Sequence, residues 1–225
     1  MSRLGILTGA RAEVDLLRVL PGPAPLVACS GADLERARTM ARELVARGAE
    51  ALVSFGLAGG LAEGLRAGTL LLPSEILLPD GSPRTVDPAW REAVLARASG
   101  LHPFGARVAC TPHLLATPAD KRALAERSGA VAVDMESEAV ALAAQRGGLP
   151  FLVLRAIADP YDAAIPPPAL AGLTADGALR PFAVALELAR QPRHLSALLR
   201  LARDVRAALT ALRSALHRLE SLDPP

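Results

Sequence analysis

Aromatic residues, cysteines and lysines are scarce in this sequence. The first two shortages argue against classes of protein, whereas the presence of a single lysine says little about function. Aromatic side chains make up 3% of the 225 residues, too few for a surface that stacks on nucleic-acid bases. Cys29 and Cys110 form no CxxC pair, and the four histidines are scattered, so no zinc or iron site is expected. The G-x-G-x-x-G fingerprint is absent, which argues against an NAD-dependent oxidoreductase.

Charge and hydropathy limit the partners and the cellular location that we expect. The formal charge of +2 requires no nucleic-acid partner, and no apolar run is long enough to span a membrane. Without a signal peptide or paired cysteines, the expected location is the reducing cytoplasm, with association at the inner face of the membrane kept as an addition. Half of the chain is apolar, so a large buried core is expected.

Short apolar runs alternate with helical patterns over the first 60 residues. Strands are predicted at 4–7, 26–29 and 51–55, and helices at 13–20 and 34–47. This alternation predicts an α/β fold. Glu13 lies at the first strand-to-helix turn, where interaction with the helix dipole is the structural alternative to a role in a site.

A glycine-rich segment, residues 56–60, follows the strand at 51–55. We predict a loop here, in which backbone amides approach a ligand closely; a plain tight turn is the alternative. Residues 68–78 are apolar but interrupted by Pro73 and Glu75, which is typical of a bent or barrel-like strand.

The stretch from 130 to 160 is predicted to form a strand at 130–133, a helix at 135–146 after Asp134 as N-cap, and a strand at 151–157. Ligands bind at the carboxyl ends of parallel strands, and Met135, Glu136 and Asp159 lie at these ends. Arg155 interrupts an apolar run, which is costly unless an anion or a carboxylate meets it. Helix capping, a turn cap and a structural ion pair are the alternative roles for these charged residues.

The C-terminal third contains a proline-rich segment and a basic tail. Residues 160–181 are predicted to be an ordered or partly mobile loop, rather than a domain linker, that could serve as a lid. Residues 195–219 carry apolar side chains at heptad spacing. Between residues 190 and 220 there are seven arginines and only two acidic residues. We favour packing of this amphipathic helix on the protein itself or on a partner helix over docking on an anionic membrane surface.

Four motifs in this order resemble those of the superfamily of nucleoside phosphorylases and 5′-methylthioadenosine/S-adenosylhomocysteine nucleosidases. They are Glu13-Val14, SFGLAGGL at 54–61, AVDMES at 132–137 and RAIADP at 155–160. The resemblance implies a three-layer αβα catalytic domain over residues 1–190, with a mixed, partly barrel-like sheet, a helical tail over 191–225, and a homodimer. More narrowly, Leu57, the AVDMES spelling, the proline-rich segment and the tail are similar to the hopanoid-associated branch, linked to removal of adenine from adenosylhopane.

The resemblance also implies roles in cleaving an N-ribosyl bond, a reaction that passes through an oxocarbenium-like ribose. Asp159 would donate a proton toward N7 of adenine, and Glu136 would accept hydrogen bonds from the ribose hydroxyls. Glu13 would orient and deprotonate the attacking water. Arg155 would steady Glu13 or an anion, and Met135 would lie against the sugar.

The remaining substrate contacts are expected from two segments. The resemblance places the adenine pocket at residues 111–117, with aliphatic contact from Leu115 and with Ala116 beside it. Leu57 and Gly59 are expected to line the nucleophile and ribose pocket.

Two departures from the small-substrate nucleosidases concern the nucleophile. Leu57 replaces a Ser or Thr, and residues 30–32 lack the second glycine of an SGIG-like turn. A carboxylate at position 13 would also repel phosphate. We therefore favour hydrolysis without a cofactor, keeping phosphate as the alternative co-substrate. A noncatalytic adenine-nucleoside binding protein at the membrane is the alternative of another class; the presence of Glu13, Glu136 and Asp159 together argues against it.

Overall fold

Strands and helices alternate along most of the chain. The computed structural model describes residues 3–20, 24–31, 33–97, 104, 106–172, 174, 177–178, 180–219 and 222–225. The strands within these residues are β1 (Leu4–Thr8), β2 (Leu26–Cys29), β3 (Ala51–Gly60), β4 (Leu70–Leu71), β5 (Glu75–Leu77), β6 (Pro83–Thr85), β7 (Val108–Cys110), β8 (Ala132–Asp134) and β9 (Phe151–Asp159). The α-helices are α1 (Arg11–Leu16), α2 (Leu34–Ala46), α3 (Pro88–Arg97), α4 (Pro118–Ser128), α5 (Ser137–Gly147), α6 (Pro167–Gly172), α7 (Pro181–Arg190) and α8 (Leu195–Leu219).

All of these strands join one mixed sheet that branches at β3. The order is β2-β1-β3-β8-β7-β5-β6, and β9 pairs with both β3 and β4. Strand β3 runs parallel to β1 and β9 and antiparallel to β8. Its register places Gly56 opposite Arg155 and, after a bulge, Gly59 opposite Asp159. The glycine-rich, AVDMES and RAIADP motifs therefore meet along one strand.

Strand β9 shows how the sheet separates two helical layers. Its side chains alternate between faces, and all nine of its residues are buried. Val153 and Ile157 pack in the cluster that contains α2 and α5, whereas Leu152 and Leu154 pack in the cluster that contains α1, α3 and α8. A strand covered on both faces reads as a continuous apolar run, as this one does. The arrangement confirms the predicted α/β fold with a mixed central sheet.

The long helix α8 is buried over its second half only. Ala208, Leu212, Leu216 and Leu219 are buried among residues of β3 and β9, which confirms packing on the protein itself for this part of the heptad pattern. At the other end of the helix, Leu195 and Leu199 are exposed. The division of the chain at residue 190 stays a prediction.

The structure corrects the predicted loop at residues 56–60. These residues continue β3, because β9 pairs with them as far as Gly59 and β8 pairs with Gly59 and Gly60. The glycines had suggested a loop, but strands on both sides supply hydrogen-bond partners that a loop would lack.

Other corrections concern the ends of elements. Asp134 ends β8, and Glu136 rather than Asp134 is the N-cap of α5. The first helix starts at Arg11 and gives way to a 3₁₀ turn at Leu17–Val19. The proline-rich segment contains the short helix α6. The sequence also predicts a helix at residues 89–99. Helix α3 ends at Arg97, and positions 98 and 99 lie outside the described residues. Among the described helices, none combines the length and the apolar character needed to cross a membrane.

Candidate active site

The fully buried Arg155 is the centre of a network formed by β3, β8 and β9. Its Nε lies 2.9 Å from Asp134 Oδ2, and its Nη2 lies 3.2 Å from Glu136 Oε2. Nη2 also donates to Ser54 Oγ at 2.6 Å, and Nη1 donates to the Leu57 carbonyl at 3.3 Å. The prediction that a carboxylate meets Arg155 is thus confirmed, and two carboxylates share it. Such pairing offsets the large cost of burying a guanidinium.

Asp134 and Ser137 support this network from the β8–α5 junction. The Ser137 amide donates to Asp134 Oδ1 at 3.1 Å, and the Ser137 hydroxyl donates to Asp134 Oδ2. The same hydroxyl lies 2.9 Å from Ser54 Oγ. Sequence reasoning gave Asp134 only a capping role and missed both serines. The available signal was the polar Ser54 inside the apolar strand 51–55.

Glu13 is held by backbone amides from two elements. Its Oε2 accepts from the amides of Gly9 and Ala10, each at 2.8 Å, and its Oε1 accepts from the Leu57 amide at 2.8 Å. Burial raises the pKa of Glu13, while Arg155 and these three amides oppose the rise. A contact with β3 goes beyond an interaction with the dipole of α1, so Glu13 belongs to the network.

Glu136 is buried beside the same arginine. Burial raises its pKa to about 7, Asp134 and Glu13 add to the rise, and Arg155 opposes it. Both protonation states of Glu136 are therefore populated near neutral pH. A group with this pKa can switch between accepting and donating a hydrogen bond at little cost.

Asp159, at the end of β9, is paired with the only lysine of the chain. Lys121 is fully buried on α4, and its Nζ lies 2.5 Å from Asp159 Oδ2. Nζ also donates to the carbonyls of Asp159, Pro160 and Ala163, at 3.3, 2.9 and 3.0 Å. Burial raises the pKa of Asp159, and Lys121 opposes that rise.

Sequence reasoning missed Lys121 altogether. The available signal was a lone lysine in a chain otherwise rich in arginine. A compact ammonium with three donors can fit a cluster of carbonyls that a planar guanidinium would not.

Three glycines leave room for the three carboxylates. A Cβ atom would lie 2.6 Å from Glu136 Oε1 if added at Gly9, 2.5 Å from Glu13 Cδ at Gly56, and 3.2 Å from Asp159 Oδ2 at Gly59. Contacts below 3.0 Å are essentially never seen for Cβ atoms, so a side chain at Gly9 or Gly56 would displace an acid. The glycines predicted to approach a ligand thus approach the acidic side chains themselves.

The predicted substrate-binding residues lie around this network. Half-buried Met135 falls between Asp134 and Glu136. Leu57 contributes its amide to Glu13 and its carbonyl to Arg155, and Gly59 faces Asp159. Their contacts with a substrate stay predictions.

The predicted adenine loop is attached to the proline-rich segment. Leu115 packs against a small cluster that includes Val133 of β8. The Ala116 carbonyl accepts from the Ile165 amide at 2.9 Å. Further along, the Arg11 amide donates to the Gly177 carbonyl at 3.1 Å. The segment after Asp159 therefore contacts both the adenine loop and the start of α1.

Comparison with known proteins agrees with the fold and the motifs. Residues 16–178 match the sequence model of the phosphorylase superfamily. The 5′-methylthioadenosine/S-adenosylhomocysteine nucleosidase of Helicobacter pylori, solved as a mutant with 5′-methylthioadenosine in its active site, aligns over 96% of this chain and 99% of its own, with 17% identity and a TM-score of 0.66. Futalosine hydrolase of the same organism aligns over 96% of this chain and 97% of its own, with 18% identity and a TM-score of 0.67.

A third structure, the corresponding nucleosidase of Neisseria meningitidis in complex with methylthio-immucillin-A, aligns over 96% of this chain and 98% of its own, with 17% identity and a TM-score of 0.67. No curated protein sequence matches the chain. Identities this low show a shared fold, whereas the family match covers well over half of the residues. The chain belongs to the phosphorylase superfamily.

Proposed function

We propose that this protein hydrolyses the N-glycosidic bond of a 5′-substituted adenosine and releases adenine. The observation that carries the proposal is the Glu13 carboxylate, held by three backbone amides next to the Arg155–Glu136 pair. The presence of 5′-methylthioadenosine in the similar H. pylori nucleosidase supports the substrate class.

Glu13 is suited to orient and deprotonate a water molecule. A carboxylate offers about four acceptor positions, and the amides of Gly9, Ala10 and Leu57 use three of them. One position on Oε1 is left for a water, whose direction of approach is then fixed by the backbone. The raised pKa of Glu13 makes it a stronger base than an exposed carboxylate.

Glu136 is suited to the ribose. In its ionised form it accepts hydrogen bonds from the sugar hydroxyls, and its negative charge stabilises the positive charge that develops on the ribose as the bond breaks. Arg155 holds Glu136 in place, and Met135, next to it in the chain, lies against the sugar.

Asp159 is suited to act on the base. Protonation at N7 makes adenine a better leaving group, and this requires a carboxyl that is protonated at the moment of cleavage. Burial of Asp159 favours the protonated form. Lys121 opposes it in the free protein and orients the carboxyl group through Oδ2.

The nucleophile is water rather than phosphate in this proposal. Arg155 is already in contact with Asp134 and Glu136, and a phosphate at this point would meet the carboxylate of Glu13 as well. The Ser30 hydroxyl donates to the Thr8 carbonyl at 3.2 Å, within the protein. These contacts support hydrolysis.

We further propose adenosylhopane as the substrate, which would place the reaction in hopanoid side-chain biosynthesis. The support is the resemblance of Leu57, AVDMES, the proline-rich segment and the tail to the hopanoid-associated branch. Adenine and a ribosyl hopane would be the products.

Adenine release from adenosylhopane in mixed micelles tests the proposal. The assay is run with and without phosphate, on wild type, Asp159→Asn and Glu13→Gln. We expect release without phosphate, and a loss of about a hundredfold or more in each variant. Asp162→Asn is the matched control, because Asp162 is an exposed acid three residues beyond Asp159.

Each outcome has a distinct meaning. Release that requires phosphate would replace hydrolysis by phosphorolysis. Release from 5′-methylthioadenosine but not from adenosylhopane would keep the reaction and reject the lipid substrate. Binding of the nucleoside without release under any condition would reject the enzyme and favour a noncatalytic binding protein.

A further inference from the structure

Exposed apolar side chains are concentrated in one part of the chain. Seven large hydrophobic side chains are exposed among the described residues, and five of them fall between positions 170 and 199. These five define the α6–α8 patch: Leu170 at 38% exposure, Phe182 at 80%, Leu186 at 44%, Leu195 at 47% and Leu199 at 61%. Single exposed apolar residues are common on protein surfaces, whereas a group of them typically marks an interaction site.

Within α7 and within α8, the exposed apolar residues of the patch share one helix face. Phe182 and Leu186 are four residues apart on α7, and Leu195 and Leu199 are four apart on α8, so each pair shares a helix face. No residue of α7 is buried. Its inner side packs on α6, where Val184 lies against Gly172, and its outer side, with Phe182, is left facing solvent.

Basic residues are interspersed with the patch along the chain. Between residues 180 and 206 there are six arginines and two acidic residues, a formal charge of +4. The two acids are Glu187, which lies 3.5 Å from Arg190, and Asp204, which lies 3.4 Å from Arg203. Arg203 and Arg206 follow Leu199 by four and seven residues, so they continue the exposed face of α8 that the leucines begin.

The patch adjoins the candidate active site through the chain itself. Strand β9 ends at Asp159, and α6 begins eight residues later at Pro167. The Arg180 amide donates to the Gly172 carbonyl at 2.9 Å, which ties α7 to α6. A surface that holds α6–α8 would therefore lie beside the segment that follows Asp159.

We propose that the α6–α8 patch docks on an anionic lipid bilayer, with its apolar side chains in the interface and its arginines at the headgroups. Apolar side chains rimmed by arginine are the combination that binds anionic membrane surfaces. Charge decides against a second copy of the chain on this surface, because a symmetric contact would bring two sets of arginines together. This inference depends on the exposed surface alone and does not require the proposed reaction.

The proposal revises the membrane contact considered for residues 195–219. From Ala208 onward, the apolar face of that helix is buried in the protein and cannot contact a bilayer. In the first half of the helix, the large exposed side chains are Leu195, which belongs to the apolar seam, and its neighbour Leu199, and α6 and α7 supply the rest of the patch.

Flotation with vesicles tests the docking surface on the full chain. We expect binding to vesicles that contain phosphatidylglycerol, weak binding to phosphatidylcholine alone, and release at high salt. The double variant Phe182→Ser/Leu186→Ser should lower binding at least tenfold. Arg200→Gln/Arg203→Gln should lower it about 25-fold, since each basic residue contributes about fivefold.

Matched controls separate docking from loss of structure. Phe104→Ser removes an exposed aromatic residue outside the patch, and Arg122→Gln/Arg127→Gln removes two exposed arginines from α4; both should bind like wild type. Circular dichroism and hydrolysis of a water-soluble nucleoside should be unchanged in the patch variants.

Three results would overturn the proposal. One is equal binding by the patch variants and the controls, and another is no binding to anionic vesicles. The third is a light-scattering mass that falls from dimer to monomer in Phe182→Ser/Leu186→Ser, which would assign the surface to a second copy. None of these results bears on adenine release from soluble substrates, so the proposed function is tested separately.

Discussion

Gly56 shows how closely the backbone of β3 approaches the carboxylate of Glu13. Its φ of 151° is rare for residues with a side chain, and an added Cβ would lie 2.5 Å from Glu13 Cδ. Gly56→Ala should therefore displace Glu13 and lower kcat/KM by about a hundredfold or more. Gly81→Ala is the control, because Gly81 also has a positive φ but no atom within 4 Å of the added carbon. Equal activity in the two variants would contradict the steric account.

Glu136 links activity to pH through its raised pKa of about 7. The unfolded chain ionises this group near pH ~4.3, so the folded protein binds the proton more tightly, and stability is lost as the pH rises through 7. Glu136→Gln cannot ionise and avoids that loss. The Tm of the variant relative to wild type should thus increase from about pH 5 to about pH 8, while kcat/KM falls by about 10- to 100-fold.

Thermal melts across this pH range, together with activity assays, check both halves of the Glu136 prediction. A Tm difference that is independent of pH would show that the group does not titrate in this range. Unchanged activity would remove Glu136 from the site.

Lys121 is predicted to position Asp159 and not merely to stabilise α4. Lys121→Met leaves a buried carboxyl without its partner, which should cost about 3–5 kcal/mol in unfolding free energy. It should also raise the pKa of Asp159 and shift the alkaline limb of the kcat profile to higher pH, since burial would then act alone. Urea titration and pH–rate profiles measure the two effects.

A second variant separates positioning from stability. Lys121→Met/Asp159→Asn removes both charges and should recover most of the lost stability without recovering activity. A Lys121→Met protein with a normal pH profile would show that the lysine is structural only.

At the level of elements, α8 is divided between a buried half and an exposed half. Leu212 is fully buried, so Leu212→Ala should reduce the unfolding free energy by about 2–5 kcal/mol. Leu199→Ala, on the same helix but 61% exposed, should change it by less than about 0.5 kcal/mol. Urea denaturation of the two variants distinguishes this division from a tail that is separate throughout. Similar small effects in both would place α8 outside the core.

Elements whose signals are local could be predicted from the sequence, and those that depend on distant partners could not. Strands β1 and β2 and helix α2 follow the apolar runs and the helical pattern that predict them at 4–7, 26–29 and 34–47. The prediction that the third strand ends at residue 55 is wrong. Residues 56–60 extend β3 because they pair with β8 and β9, which are distant in sequence.

The candidate site shows the same limit. The motifs identified Glu13, Glu136, Arg155 and Asp159 because each lies next to a recognisable turn or inside an apolar run. The link between Lys121 and Asp159 joins residues 38 positions apart, and the lone lysine gave no indication of which residue it would meet. Pairings of this kind follow from topology, which composition and periodicity do not determine.

For the whole molecule, we expect the most deeply buried elements to resist local unfolding most strongly. Strands β3 and β9 are almost entirely buried and pair along most of their length, whereas α7 buries no residue. Hydrogen exchange should therefore be slowest for amides of these strands and fastest, among the helices, for α7. Protection of α7 equal to that of β9 in the dilute protein would indicate that a partner already covers it.

The charges around Arg155 do not balance. Glu13, Asp134 and Glu136 surround one guanidinium, so when all three are ionised the cluster carries two negative charges in excess within a buried space. It is an incomplete ion cluster, and a neutral nucleoside leaves it incomplete. In the proposed reaction, a ribose that has begun to lose its base becomes cationic and would offset one of the two excess charges. The repulsion that folding tolerates here would be relieved at the moment of bond cleavage, so the affinity of the site for its ligand would rise along the reaction itself.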